Sequence, residues 1–211
     1  MKSLIVLGMC LMTLAICQEA WGQAPIRAKT ESDREVLLYP DHTWKYAEEI
    51  KAAPSTLHSY VKPASAKKLF KSRTGNCGLW IDETKWKLDS NGSNPDFEFE
   101  FEHASGDGFA GAIIERIAMP LDALKEIAIK NIRAQDPNAK VISEEKRLVN
   151  GNEVLSLIVE LTSHEVPITF HYYLYTGKAG SIQLATWTGT NLFAEYEKDF
   201  TDLLNGLELY K

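Results

Sequence analysis

Asn150-Gly151 lies between two strand-like runs, Lys140 to Val149 and Glu153 to Leu161. This dipeptide constrains the fold more than any other feature of the chain. Both residues accept the positive φ of a type I′ turn, whose twist matches that of paired strands, so the two runs are expected to form an antiparallel hairpin. In the second run Leu155, Leu157, Val159 and Leu161 fall on one side, with Val154, Ser156, Ile158 and Glu160 on the other, because successive strand side chains alternate. The leucine side needs a cover. The segment before the hairpin supplies one: Pro120 suits the first turn of a helix, and Leu121, Leu124, Ala128 and Ile132 recur at helical spacing with Ile127 alongside. Asp136-Pro137-Asn138 ends that helix. Phe109 to Ile117 reads as a preceding strand.

The same period-two reading extends in both directions. Phe97 to Glu102 alternates phenylalanine and glutamate, which predicts Phe97, Phe99 and Phe101 toward a core and Glu98, Glu100 and Glu102 toward water. The glutamates are expected to pair with Lys140, Lys146 or Arg147. Val166 to Tyr175 places Val166, Ile168, Phe170, Tyr172 and Leu174 on a core side. Thr169, His171, Tyr173 and Tyr175 form a polar-aromatic stripe that either lines a groove or lies beneath another element. Ser181 to Thr188 reads as the last long strand. A closing helix capped at Thr190 or Asn191 carries Phe193, Tyr196, Phe200, Leu203, Leu204 and Leu207, and Asn205-Gly206 marks its end. The fold class is therefore α+β, an antiparallel sheet flanked by helices.

Residues 1–22 read as an export signal. Lys2 precedes an apolar run from Leu4 to Ile16, and Ala20-Trp21-Gly22 has small residues at the two positions that a signal peptidase reads. The run is shorter than the ~20 residues of a spanning helix, so no integral span is expected after cleavage. Lipid anchoring at Cys17 is the alternative, with Ile16 where that motif takes a small residue. Cleavage after Gly22 removes Cys10 and Cys17, leaving Cys77 as a buried apolar thiol without a disulfide partner. The net charge of −6 argues against a nucleic-acid surface. The expected location is periplasmic or secreted.

Residues 23–50 are expected to hold a polar leader (23–33) and a second hairpin around Pro40-Asp41-His42, residues 51–63 a linker, and residues 64–211 the α+β domain. The hairpin segment VLLYPDHTWKY is similar to a D-G-T-W-type hairpin of exported bacterial proteins, with His42 in place of Gly. Trp44 and Tyr46 are its candidate binding residues; His171, Tyr173 and Tyr175 are the candidates on the main domain. Residues 89–96 form an Asx-rich loop whose spacing is not that of an EF-hand calcium loop. It also carries the glycosylation pattern Asn91-Gly92-Ser93.

No nucleophile elbow, P-loop, dinucleotide fingerprint, CxxC or HExxH motif occurs. His171 and Tyr173 near Glu160 are the one acid–base group that could be drawn. No catalytic residue, cofactor or metal is expected.

The order of elements from Gly78 to Leu209, together with IDETKW at residues 81–86, resembles the Mog1/PsbP/DcrB-like superfamily. That resemblance implies an antiparallel sheet sandwiched by helices and a non-enzymatic partner protein. Two functions follow as expectations. One is an exported domain binding a protein or envelope component. The other is a small-molecule or lipid carrier with a pocket between sheet and helix, lined by Phe109, Phe170, Tyr172 and Trp187.

Overall fold

The two residues of the Asn150-Gly151 turn both adopt positive φ, +49° and +80°, and Val149 pairs with Asn152 across it. This is the geometry that the dipeptide predicts. The computed structural model describes residues 26–29, 35–38, 43–46 and 57–210, except 91 and 93. The chain divides after Ser55 into two compact units.

The first unit contains an antiparallel three-stranded sheet, β1 (Ile26–Lys29), β2 (Glu35–Leu38) and β3 (Trp44–Tyr46). The expected β2–β3 hairpin is present. The polar leader is not structureless, because β1 pairs with β2 through Ile26 opposite Leu38. The export segment at residues 1–22 and the turn residues 40–42 lie outside the described residues.

The second unit runs β4 (His58–Tyr60), β5 (Lys68–Lys71), β6 (Cys77–Ile81), β7 (Trp86–Leu88), β8 (Phe99–His103), β9 (Phe109–Glu115), α1 (Leu121–Gln135), β10 (Lys140–Val149), β11 (Asn152–Ser163), β12 (Val166–Gly177), β13 (Gly180–Gly189), α2 (Phe193–Leu204) and β14 (Leu207–Leu209). Its main sheet has eight strands in the order β4-β10-β11-β12-β13-β9-β8-β7, and a small sheet has the order β14-β6-β5. Two expectations are corrected here. The sheet is mixed, since β4 pairs parallel with β10 through Arg147 opposite His58. Residues 58–60 thus belong to this unit instead of a linker; a three-residue edge strand carries too little periodic signal to be read.

Each face of the sheet has its own core. On one face Leu124, Ala128 and Ile132 of α1 pack on Leu155, Leu157, Val159 and Leu161, as the leucine alternation requires. On the other, Tyr196, Phe200, Leu203 and Leu204 of α2 and Cys77, Leu79 and Ile81 of β6 pack on Phe101, Ala112, Tyr173 and Leu184. Each buried Leu, Ile or Phe contributes ~1.5–3 kcal/mol relative to leaving it in water. Leu207 is not part of the helix. Gly206 breaks α2, and a side chain there would meet the Trp80 carbonyl oxygen at 2.0 Å, so only glycine lets the chain turn and pair β14 with β6. Leu192, not Thr190 or Asn191, precedes α2, and its side chain makes no capping bond. The Thr190 hydroxyl is instead taken by Thr169 at 3.0 Å.

Asn150 does more than turn the chain. Its Nδ2 donates to the carbonyls of Asn205 (2.9 Å) and Leu207 (2.8 Å), and its Oδ1 accepts from the Lys62 amide at 2.8 Å. One side chain therefore ties the hairpin to the end of α2, to β14 and to the segment after β4. Cys77 is fully buried, and burial pushes its thiol up to about 11, consistent with the apolar role expected of it.

Candidate functional site

α1 lies over β11 and β12 and leaves the rest of its face of the sheet uncovered. The result is a cleft of about 530 Å³ between α1 and the segment leading into β8. That volume falls within the ~300–1,000 Å³ typical of small-molecule sites. Ala128, Asn131, Ile132 and Gln135 of α1 form one wall, Asn94, Asp96, Phe97 and Glu100 the other, and Ile113, Phe170, Tyr172, Gln183, Ala185 and Trp187 line the sheet.

Sheet register explains why these residues meet. Phe109 stands opposite Trp187, and Trp187 opposite Phe170. Their rings stack at 6.0 and 5.4 Å, and Phe170 stacks on Tyr172 at 5.6 Å. Offset parallel rings at these separations attract by about 0.5–1.5 kcal/mol beyond their burial, so the aromatic wall is held before any ligand arrives. One row further, Glu100, Gly111, Ala185 and Tyr172 are successive neighbours across four strands. Gly111 and Ala185 leave space in the middle of that row, and the part over Gly111 is taken by the Phe97 ring. Burial raises the Tyr172 phenol well above its ordinary range, which keeps it neutral.

Phe97 is a correction. The strand begins at Phe99, and Phe97 turns onto the cleft side, where its ring fills the space over Gly111 and lies 5.8 Å from Trp187. Phe99 and Phe101 face the α2 core as expected. The glutamates do not all face water. Glu98 accepts from the Ser72 hydroxyl at 2.7 Å and from the amides of Arg73 and Thr74. Glu100 Oε2 is shut off from solvent without a partner among the described residues. Glu102 alone is exposed. None pairs with the cations of β10, which four strands separate from β8 in the sheet. Lys146 pairs with Glu153 and Arg147 with Glu145.

The expected site residues fall elsewhere. His171 and Tyr173 are 1% and 0% exposed, and Tyr175 is half-buried on the same face. Thr169, His171 and Tyr173 of the polar-aromatic stripe therefore form a core layer, whereas Tyr175 lines a smaller cleft with Asn150, Asn152 and Tyr210. His171 Nε2 shares a hydrogen bond of 2.9 Å with the Ser156 hydroxyl. Glu160 stands opposite Thr169; with Nε2 taken by Ser156 and Nδ1 without a partner among the described residues, neither ring nitrogen of His171 bonds to it. The Tyr173 hydroxyl accepts from Arg147 and donates to Asn205 Oδ1, both at 3.0 Å. This network joins β10 and β12 to the end of α2. Backbone residues Trp44 and Tyr46 belong to β3; their side chains lie outside the described residues. Of the residues expected to line a helix–sheet pocket, Phe170, Tyr172 and Trp187 do so, and Phe109 supports Trp187 from behind.

Among the described residues no group of three His, Cys, Asp or Glu side chains is placed to hold a metal, the 89–96 loop included. Asn91 and Ser93 of its glycosylation pattern lie outside the described residues. No described helix is long and apolar enough to cross a membrane.

No family model matches the sequence, and no curated protein matches it. Solved structures do. The chain is similar in fold to cyanobacterial PsbP (CyanoP) from Synechocystis, with a TM-score of 0.51 at 13% identity, over 70% of this chain and 95% of that one. A protein from Bacteroides thetaiotaomicron matches 69% of this chain and 49% of its own length at 11% identity, with a TM-score of 0.46. A protein of unknown function from Pseudomonas aeruginosa, a putative regulator by its description, matches 68% and 97% at 10% identity, with a TM-score of 0.44. The fold is thus PsbP-like, as the order of elements implies.

Proposed function

We propose that the second unit is a non-enzymatic binding module that carries a small molecule in the cleft between α1 and the sheet, exported under the direction of residues 1–22. The observation that supports this reading is the cleft itself: a half-open apolar surface of stacked aromatic rings, rimmed by the amides of Asn94, Asn131 and Gln135. Stacked rings give a ligand's apolar body a pre-organised surface, and sparse polar groups set its orientation. A second reading, a protein partner, draws on β10. Residues before Arg147 pair only with β11 among the described strands, Val141 and Ile142 are exposed at a bulge there, and an open strand edge can accept an added strand.

Native mass spectrometry of the protein purified from its own host separates the two. The expected result is a chain beginning at Gln23 with a small co-purifying mass, lost in an Asn131→Trp variant that plugs the exposed rim of α1. A complex with a protein mass, insensitive to that plug, would instead support the β10 edge, and an intact Met1 chain would count against export.

A further inference from the structure

The charge of the cleft narrows what enters it. Among the described residues no Lys, Arg or His lines it, whereas Asp96 and Glu100 do. The glutamates two residues to either side of Glu100 show what a satisfied carboxylate looks like in this protein: Glu98 receives a hydroxyl and two backbone amides, and Glu102 is in water. Glu100 has neither arrangement at Oε2, which is buried beneath Gly92 without a hydrogen bond among the described residues. A carboxylate shielded on one side loses hydration, and its attraction for a positive charge rises as the local dielectric falls. An anion entering the cleft would meet two negative charges with no donor cation to offset them.

We propose that the ligand is an organic cation: an amphiphilic amine whose apolar body lies on Phe170, Tyr172 and Trp187 and whose protonated nitrogen meets the Glu100 carboxylate through Oε1, Oε2 being covered by Gly92. The proposal rests on the carrier reading above and adds the class of ligand. Register supplies its size. Glu100 and Tyr172 are three strand spacings apart in one transverse row, ~14 Å at ~4.8 Å per strand. Phe97, seated over Gly111, is the apolar step between them. A molecule with its nitrogen at Glu100 therefore lays its apolar body across Phe97 toward Tyr172. An inorganic cation does not fit as well, since the described carboxylates do not gather into a three-ligand group and the wall is aromatic.

Calorimetry on the full chain with three probes of one shape tests this: 2-naphthylmethylamine, 2-naphthylmethanol and 2-naphthoate. The amine is expected to bind at least tenfold more tightly than the alcohol, and the carboxylate most weakly. Glu100→Gln should erase the amine's advantage while leaving alcohol binding within about twofold. Equal binding of amine and alcohol to the natural protein would overturn the cationic assignment and leave the carrier reading standing. Calcium that displaces the amine competitively would also overturn it, in favour of an inorganic cation. Absence of binding by all three, with no change in the Asn131→Trp variant, would sink both. The comparison of probes on the natural chain decides the matter even if the Glu100 variant folds poorly.

Discussion

Lowering the pH from 7 to 4 is expected to remove about 3 kcal/mol of folding stability through His171 alone. The ring is 1% exposed. Burial, aided by the nearby positive charge of Arg147, holds its pKa at about 3. Geometry gives the same answer: Nε2 has Ser156, but Nδ1 has no partner among the described residues. A protonated ring needs acceptors on both nitrogens. In the unfolded chain the group titrates at its ordinary value of 6.5, so between those two values the unfolded state binds a proton that the folded state refuses. Stability is therefore fully present above pH ~6.5, falls as pH drops through that value, and stops falling near the folded pKa. Urea unfolding of the natural protein and of His171→Gln at pH 7 and pH 4 measures the effect. The variant keeps a partner for Ser156 and cannot titrate, so its loss should be smaller by about 3 kcal/mol. Equal losses in the two proteins would mean that His171 is not held neutral.

Replacing Phe200 with Ala should cost about 3–5 kcal/mol, the range for emptying a fully buried aromatic position. Phe200 is the centre of the α2 core, with its ring 5.7 Å from Tyr196 and 6.0 Å from both Trp86 and Phe193. Backbone at Gly108 closes the site from another side, where even an added methyl would lie 3.2 Å from the ring. A cavity walled by two strands and the helix cannot collapse easily. The check is a fall in the urea midpoint with an unchanged m-value. A loss below about 1 kcal/mol would show that α2 contributes little to holding the second unit together.

Much of the fold is legible in the residues alone. Asn150-Gly151 specifies its own turn because the conformational demand is local, and Leu155, Leu157, Val159 and Leu161 meet Leu124, Ala128 and Ile132 because each stripe has a single period to satisfy. In β8 the local rule also holds for Phe99 and Phe101. It fails at Phe97, because alternation applies only inside a strand and the strand starts two residues later. The stripe at Thr169, His171, Tyr173 and Tyr175 is recognisable as a unit, but its burial depends on α2 and β6, distant segments that cover it.

Backbone preference and periodicity over a few neighbours suffice for the α+β class, both helices, the central hairpin and most of the residues that share a strand face. The remaining features come from contacts that no local pattern encodes. The parallel β4–β10 pair, the staple at Asn150, the buried neutral His171 and the cleft beside Glu100 all join residues far apart in the chain. What becomes a cleft is set by where α1 stops covering the sheet, and that is a property of how far one helix reaches across eight strands.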